Sequence, residues 1–224
     1  MKIKPIIFGS TGMIGQGVLM ECIESPGVES VLLINRRALN RQHPKIKEIV
    51  HNDFEDMSSL IPEFKNYDSC FFCLGVTSLG LSESEYHRVT YELTVKIAET
   101  ILKTGQDFTF CYISGKSTDS TEKGRVMWAR VKGKLENKLL SMPFKKVYMF
   151  RPGYIQPLKG IRSRTKWYNT VYAIFKPLYF LLKPFKGVVT NTSLLGKAMI
   201  NVALNGYEKS ILESSDINKV AEQK

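Results

Sequence analysis

One stretch near the start limits what this chain can become: Lys4-Pro-Ile-Ile-Phe-Gly-Ser-Thr-Gly-Met-Ile-Gly-Gln-Gly17, an apolar run followed by glycines at 9, 12 and 15 and then by residues that favour helix. That order predicts a strand, a tight turn and a helix start. Such a turn leaves backbone N–H groups free at the positive end of a helix dipole, a pocket suited to a diphosphate. Gly9 allows the turn, Gly12 lets a cofactor approach the backbone, and Gly15 lets the helix lie close on the strand. Glycine triplets this loose also occur in ordinary strand-to-helix loops, so the downstream elements must decide between the two.

A second apolar run, residues 30–34, closes with Asn35-Arg36-Arg37. In a dinucleotide-binding βαβ unit the end of this strand lies about twenty residues beyond the glycines and meets the adenosine ribose. An acidic residue there would bond the ribose hydroxyls of NAD. Arg36, with Arg37 beside it, offers a donor fork to a 2′-phosphate, which points to NADP over NAD. The plainer alternative is two arginines on a solvated turn.

A third strand is expected over Lys47–His51, and the Asp53 and Phe54 just beyond it would either border an adenine ring or cap the next helix. Cys70-Phe-Phe-Cys-Leu-Gly75 reads as a fourth strand, apolar throughout as one buried on both faces should be, with Leu74 and Gly75 at its end. Val89, Leu93, Ile97 and Ile101 have helical spacing within one crossover helix, about 83–103. A fifth strand over 108–113 ends at Ser114-Gly115, a helix runs over 124–140, and a sixth strand over 146–150 ends at Arg151-Pro152-Gly153. Strands and helices in alternation predict an α/β fold, a doubly wound parallel sheet with helices on both faces. Candidate functional residues come after the C-terminal ends of the strands, where ligands of such sheets bind. In that context the glycine turn points to a nucleotide.

Composition narrows the rest. The 224 residues, 43% hydrophobic and 24% charged, suit one domain spanning 1–224. Four cysteines without a secretory leader indicate a reducing compartment, the cytosol being the simplest. Cys70 and Cys73 have redox or zinc spacing, but in a strand they would face opposite sides, so both are expected in the core. His43, His51 and His87 are scattered and suggest no metal site. A formal charge of +11, from 32 basic against 21 acidic residues, calls for an anionic partner: nucleotide, lipid surface or nucleic acid.

Several motifs together resemble the short-chain dehydrogenase/reductase superfamily, in its atypical branch of Tat-interacting-oxidoreductase-like and bacterial epimerase-like members. They are Gly9-Ser10-Thr11-Gly12-Met13-Ile14-Gly15, Asp53-Phe-Glu55, Cys73-Leu-Gly-Val-Thr77, Ser114-Gly-Lys116, Val131-Lys-Gly-Lys-Leu-Glu136 and Phe150-Arg-Pro-Gly153. The resemblance implies an NADP cofactor held by these stretches, a small-molecule substrate, and a catalytic serine, tyrosine and lysine. Ser114 stands in the serine's place and Lys132 in the lysine's, where it would also hold the nicotinamide ribose. Trp128 stands in the tyrosine's. An indole N–H donates a hydrogen bond but gives up no proton near neutral pH, so the departure strikes proton transfer; the flat ring would stack beside the nicotinamide or close the pocket. Tyr172 and Lys176 repeat the Tyr-x-x-x-Lys spacing beyond the sixth strand, outside the helix that should carry the pair. Tyr112 and Tyr154 flank strand ends as alternative acids, with nothing in the sequence aiming either one.

The C-terminal third is basic and aromatic. Lys159, Arg162, Arg164, Lys166, Lys176, Lys183 and Lys186 alternate with seven aromatic residues and no acidic one. A small helical lid over about 154–190, on the substrate side, is the first expectation, and a helix lying on an anionic membrane surface is compatible with it. Pro177 breaks the apolar run, which excludes a membrane span. Single-stranded nucleic acid ranks behind both, since no nucleic-acid module is present. A helix capped by Asn191-Thr-Ser and a short strand near 210–213 complete the expected fold.

Overall fold

The structure, a computed structural model, describes residues 2–161 and 189–223. Its main sheet contains β1 (Pro5–Phe8), β2 (Val31–Asn35), β3 (Ile46–Val50), β4 (Ser69–Phe72), β5 (Thr109–Ile113), β6 (Lys146–Arg151) and β9 (Ile211–Glu213). These strands run parallel in the order β3-β2-β1-β4-β5-β6-β9. Numbered over the described residues, the helices are α1 (Met13–Glu24), α2 (Ile61–Phe64), α3 (Glu83–His87), α4 (Leu93–Leu102), α5 (Met127–Leu140), α6 (Thr192–Asn205) and α7 (Ser214–Ala221).

Every residue of β1, β2, β4 and β5 is buried. Alternate side chains serve opposite faces. Ile7, Leu33, Phe71 and Cys111 pack with Val18 of α1, Leu195 of α6 and Ile217 of α7. Ile6, Leu32, Phe72 and Phe110 pack with Phe64 of α2, Ile97 of α4 and Leu135 of α5. Each large side chain enclosed this way contributes about 1.5–3 kcal/mol. Cys70 belongs to the second face and Cys73 packs against the first, as strand periodicity requires. The chain order of strands reverses beside β1, between β2 and β4, which opens a crevice at their carboxyl ends.

Three expectations need correction. The crossover helix is not one α-helix: α3 and α4 are joined by a wide π turn over Arg88–Glu92. There the Thr94 hydroxyl donates back to the Thr90 carbonyl at 2.6 Å, a bond that disturbs the regular ladder. Second, α5 starts at Met127 rather than 124, because Asp119 captures the backbone N–H groups of Thr121 (3.0 Å) and Gly124 (2.6 Å) and holds them in a turn. Third, the expected lid begins and ends in strands: β7 (Tyr154–Gln156) pairs parallel with β8 (Val189–Asn191). The lid interior, the surface-helix expectation for 164–186 and the Tyr172/Lys176 pair fall within 162–188, outside the described residues. Lys159, one of the cations of the basic C-terminal third, is paired with Glu21 (2.8 Å) and Glu24 (2.6 Å) of α1. No helix among the described residues is long and apolar enough to cross a membrane.

One charged pair ties α5 to β6. Glu136 is fully buried, and the Arg151 guanidinium grips both its oxygens, with Nε at 3.0 and 3.1 Å. Arg151 also donates to Ser120 Oγ at 2.6 Å. Removing one partner of a buried pair leaves the other charge uncompensated. Arg151→Ala should therefore lower the unfolding free energy by about 3–5 kcal/mol in urea titrations, and replacing both partners with apolar residues should cost less than the single change.

Candidate functional site

The glycine turn has the geometry its sequence demands. Gly9 sits at φ +81°, and a side chain there would meet the carbonyl carbon and oxygen of Cys73 at 2.9 Å. The Gly12 N–H donates to the Gly9 carbonyl at 2.9 Å, and α1 begins at Met13 with no side-chain cap. A Cβ on Gly15 would lie 2.2 Å from the Gly9 oxygen, so the helix presses directly on the turn. Thr11, Gly12, Met13 and Ile14 form the half-exposed rim. The first N–H groups of α1 have no intrahelical acceptor and point out of the helix's positive end.

Ser10 turns inward. Its hydroxyl donates to Asn35 Oδ1 at 2.9 Å, and Asn35 Nδ2 donates to Glu48 Oε1 at 2.6 Å. That same oxygen accepts the Leu39 N–H at 2.8 Å. The chain Ser10–Asn35–Glu48 fastens the turn to β2 and β3, and sequence reasoning missed it; the one available signal was a polar Asn closing an apolar strand. The Glu48 carboxylate near the β2 tip is thereby occupied.

Arg36 and Arg37 lie beyond that tip, both exposed. Among the described residues neither has a carboxylate partner, unlike Arg130 and Arg151. The Arg36 guanidinium stands 5.9 Å from the centroid of the Phe54 ring, which is itself buried edge-on against Phe8. Asp53 Oδ1 accepts the N–H groups of Glu55 (2.9 Å) and Asp56 (3.3 Å), so this carboxylate caps a turn at the rim.

A cavity of about 410 Å³ runs inward from these residues. Arg36, Asp53, Phe54, Leu74, Gly75 and Lys132 are among its lining residues. The π turn supplies a wall through Arg88, Val89 and Thr90. Of the helical stripe expected from the sequence, Ile97 and Ile101 enter the core while Val89 and Leu93 face the cavity. Arg37, Ser114, Trp128, Pro152, Gly153 and the glycine turn lie outside this lining.

The ends of β5 and β6 bring the remaining candidates together. Lys132 Nζ donates to the Ser114 carbonyl at 3.1 Å and approaches that of Ile113 at 3.4 Å. Withdrawal from water pulls its pKa down to about 8, with the Glu136 carboxylate opposing that shift. Ser114 is buried, its hydroxyl 3.0 Å from that of Thr118. Trp128 is half-buried on the first turn of α5, its ring 3.8 Å from where a side chain on Gly115 would begin. The Pro152 carbonyl accepts from Lys116 N–H at 3.0 Å, and the Gly153 N–H donates to Ser214 Oγ at 2.9 Å. Tyr154 donates to Gln156 Oε1 at 2.9 Å.

No protein-family model matches the chain. It is similar to Protein HTATIP2 of Rattus norvegicus, 28% identical over 151 residues that make up 66% of this chain and 61% of that protein. It is also similar to the mitochondrial Protein FMP52 of Debaryomyces hansenii, 28% identical over 189 residues, 81% of each chain. Among solved structures, a short-chain dehydrogenase/reductase from Saccharomyces cerevisiae superposes with a TM-score of 0.67 at 13% identity, covering 98% of both chains. The Bordetella bronchiseptica enzyme WbmF, solved in complex with NAD+, gives 0.65 at 15% identity over 97% of this chain and 77% of that one.

The Lys132 amine, set between water and a carbonyl-lined wall, should lose its charge as pH rises through about 8. Reductive methylation with labelled formaldehyde, read by NMR, should give one dimethyl-lysine signal titrating near that value while exposed lysines titrate near their usual pKa of about 10.4. A single high-pH transition for every lysine would contradict this.

Proposed function

We propose that this chain, which has the fold of a short-chain dehydrogenase/reductase structure and is similar to Protein HTATIP2, is an atypical member of that superfamily that binds a nicotinamide dinucleotide, NADP(H) in preference to NAD(H), across the carboxyl ends of β1, β2 and β4. The observation that carries the reading is Arg36: an exposed guanidinium without a carboxylate partner among the described residues, beside the Phe54 ring, at a strand tip whose nearby carboxylate, Glu48, is already bonded. A 2′-phosphate there gains a charge-assisted fork where a bare ribose gains little. Arg37 lies within reach of the same phosphate.

The residues present fit the whole group. Around Gly9, Ser10, Thr11, Gly12, Met13, Ile14 and Gly15, the room left by absent side chains and the uncapped start of α1 suit the pyrophosphate. Asp53 and Phe54 would border the adenine, Leu74 and Gly75 the middle of the molecule, Lys132 the nicotinamide ribose, and Pro152 and Gly153 the ring. When bound, the dinucleotide supplies or accepts a hydride. NAD+ in WbmF is the neighbouring precedent for such a ligand on this fold.

The chemistry we propose is oxidoreductase or epimerase-like, on a small molecule whose class the site does not specify, within a single dinucleotide-binding domain. Ser114 and Lys132 orient the reacting end, and Trp128 shields it as a hydrogen-bond donor that cannot release a proton. A second reading, a non-catalytic NADP-binding sensor or partner-binding protein, rests on one observation: the indole packs on the 114–115 turn and not into the cavity. Four free thiols, three of them buried, suit a reducing compartment such as the cytosol, where the protein works free or at a membrane surface.

Arg36→Ala should weaken NADPH by about 10- to 100-fold, the worth of one charged hydrogen-bonded contact, and leave NADH almost unchanged; nucleotide fluorescence titration reads both. Equal losses for the two nucleotides would remove the phosphate role. Absence of saturable binding of either one to the native chain would remove the reading itself.

A further inference from the structure

The cavity holds two phenols that strand and helix spacing did not aim at any site. Tyr112 lies on β5 two residues before Ser114, only 2% exposed, and lines the cavity. Among the described residues, every fully buried side-chain oxygen has a hydrogen-bond partner. None of these residues hydrogen-bonds the Tyr112 hydroxyl, so that oxygen opens onto the cavity. Lys132 Nζ stands 5.6 Å from the centroid of the Tyr112 ring. Tyr86, at the end of α3 and equally buried, lines the same cavity. A tyrosine and a lysine therefore meet here after all, with the tyrosine supplied by a strand instead of by the lysine's own helix.

We propose that Tyr112, set beside Lys132 in this cavity, is the hydroxyl that gives its proton to the substrate oxygen, the task Trp128 leaves undone. The proposal rests on the reductase function proposed for this site. As hydride from the reduced dinucleotide adds to a carbonyl carbon, the C=O π pair moves onto oxygen. The O–H bond of Tyr112 breaks and its proton joins that oxygen, which yields an alcohol and a phenolate. The Lys132 ammonium offsets the phenolate charge, and water returns the proton. Burial raises both phenols above their ordinary pKa, so each is protonated and a donor at neutral pH.

Two measurements test this. In protein labelled with 13C at the tyrosine ζ carbon, the signal absent from Tyr112→Phe should move when NADPH saturates the native chain. With 9,10-phenanthrenequinone and hexanal as carbonyl probes, Tyr112→Phe should lower kcat by roughly 10²–10⁴-fold, the usual worth of a general acid. Its NADPH affinity should stay within about threefold, the split expected when only transition-state contacts are lost. Tyr91→Phe, a ring stacked on His87 outside the cavity, is the control that should change neither. An unmoved Tyr112 signal, a Tyr112→Phe variant that turns over normally, or a native chain that binds NADPH yet reduces neither probe would each overturn the proposal. Failure of NADPH to bind would instead overturn the cofactor reading.

Discussion

The structure depends on a contact between two backbones. At the end of β1 the chain turns so closely against the first residues beyond β4 that no side chain fits between Gly9 and Cys73. One helical turn later α1 presses on the same loop through Gly15. Both approaches occur where the strand order reverses, so the sheet parts at the one place where a helix start faces the gap. The amides at the start of α1, the arginines beyond β2 and the cavity beyond β4 are arranged around that contact.

The second determinant is where charge is neutralised inside the protein and where it is left open. Arg151 and Lys159 are anchored to buried carboxylates, Glu136 and Glu21, the first joining α5 to β6 and the second joining α1 to the segment beyond β7. Among the described residues Arg36 and Arg37 are left without such partners, although Glu48 lies one strand away and is already bonded. Each such pair removes one charge of either sign and leaves the net charge at +11, so the two open cations belong to that excess.

The π turn between α3 and α4 shapes the other half of the site. It lets one apolar stripe serve two purposes, with Ile97 and Ile101 completing the core and Val89 and Leu93 walling a cavity. Thr90 and Tyr86 both line that cavity. Lys132 reaches the same space from α5, and its depressed pKa is a result of that enclosure.

Much of this was legible in the residues themselves. Apolar runs of strand length with glycine or polar punctuation identify the parallel strands, because a strand buried on both faces has no polar side to show. The glycine spacing locates the turn, and the arginines after the second strand name the end of the sheet they belong to. These are local signals, written within a few residues of one another. The Ser10–Asn35–Glu48 chain, the pairing of β7 with β8, the wide turn at Arg88–Glu92 and the meeting of Tyr112 with Lys132 were not legible. Each joins groups distant in the chain, or depends on one hydroxyl competing for a backbone carbonyl, and neither leaves a periodic trace. Periodicity determined the strands of the main sheet and the faces they bury, because it is written locally; only the packed tertiary structure decided where the ladder breaks at Arg88–Glu92, that β7 pairs with β8, and which polar groups those faces bring within reach.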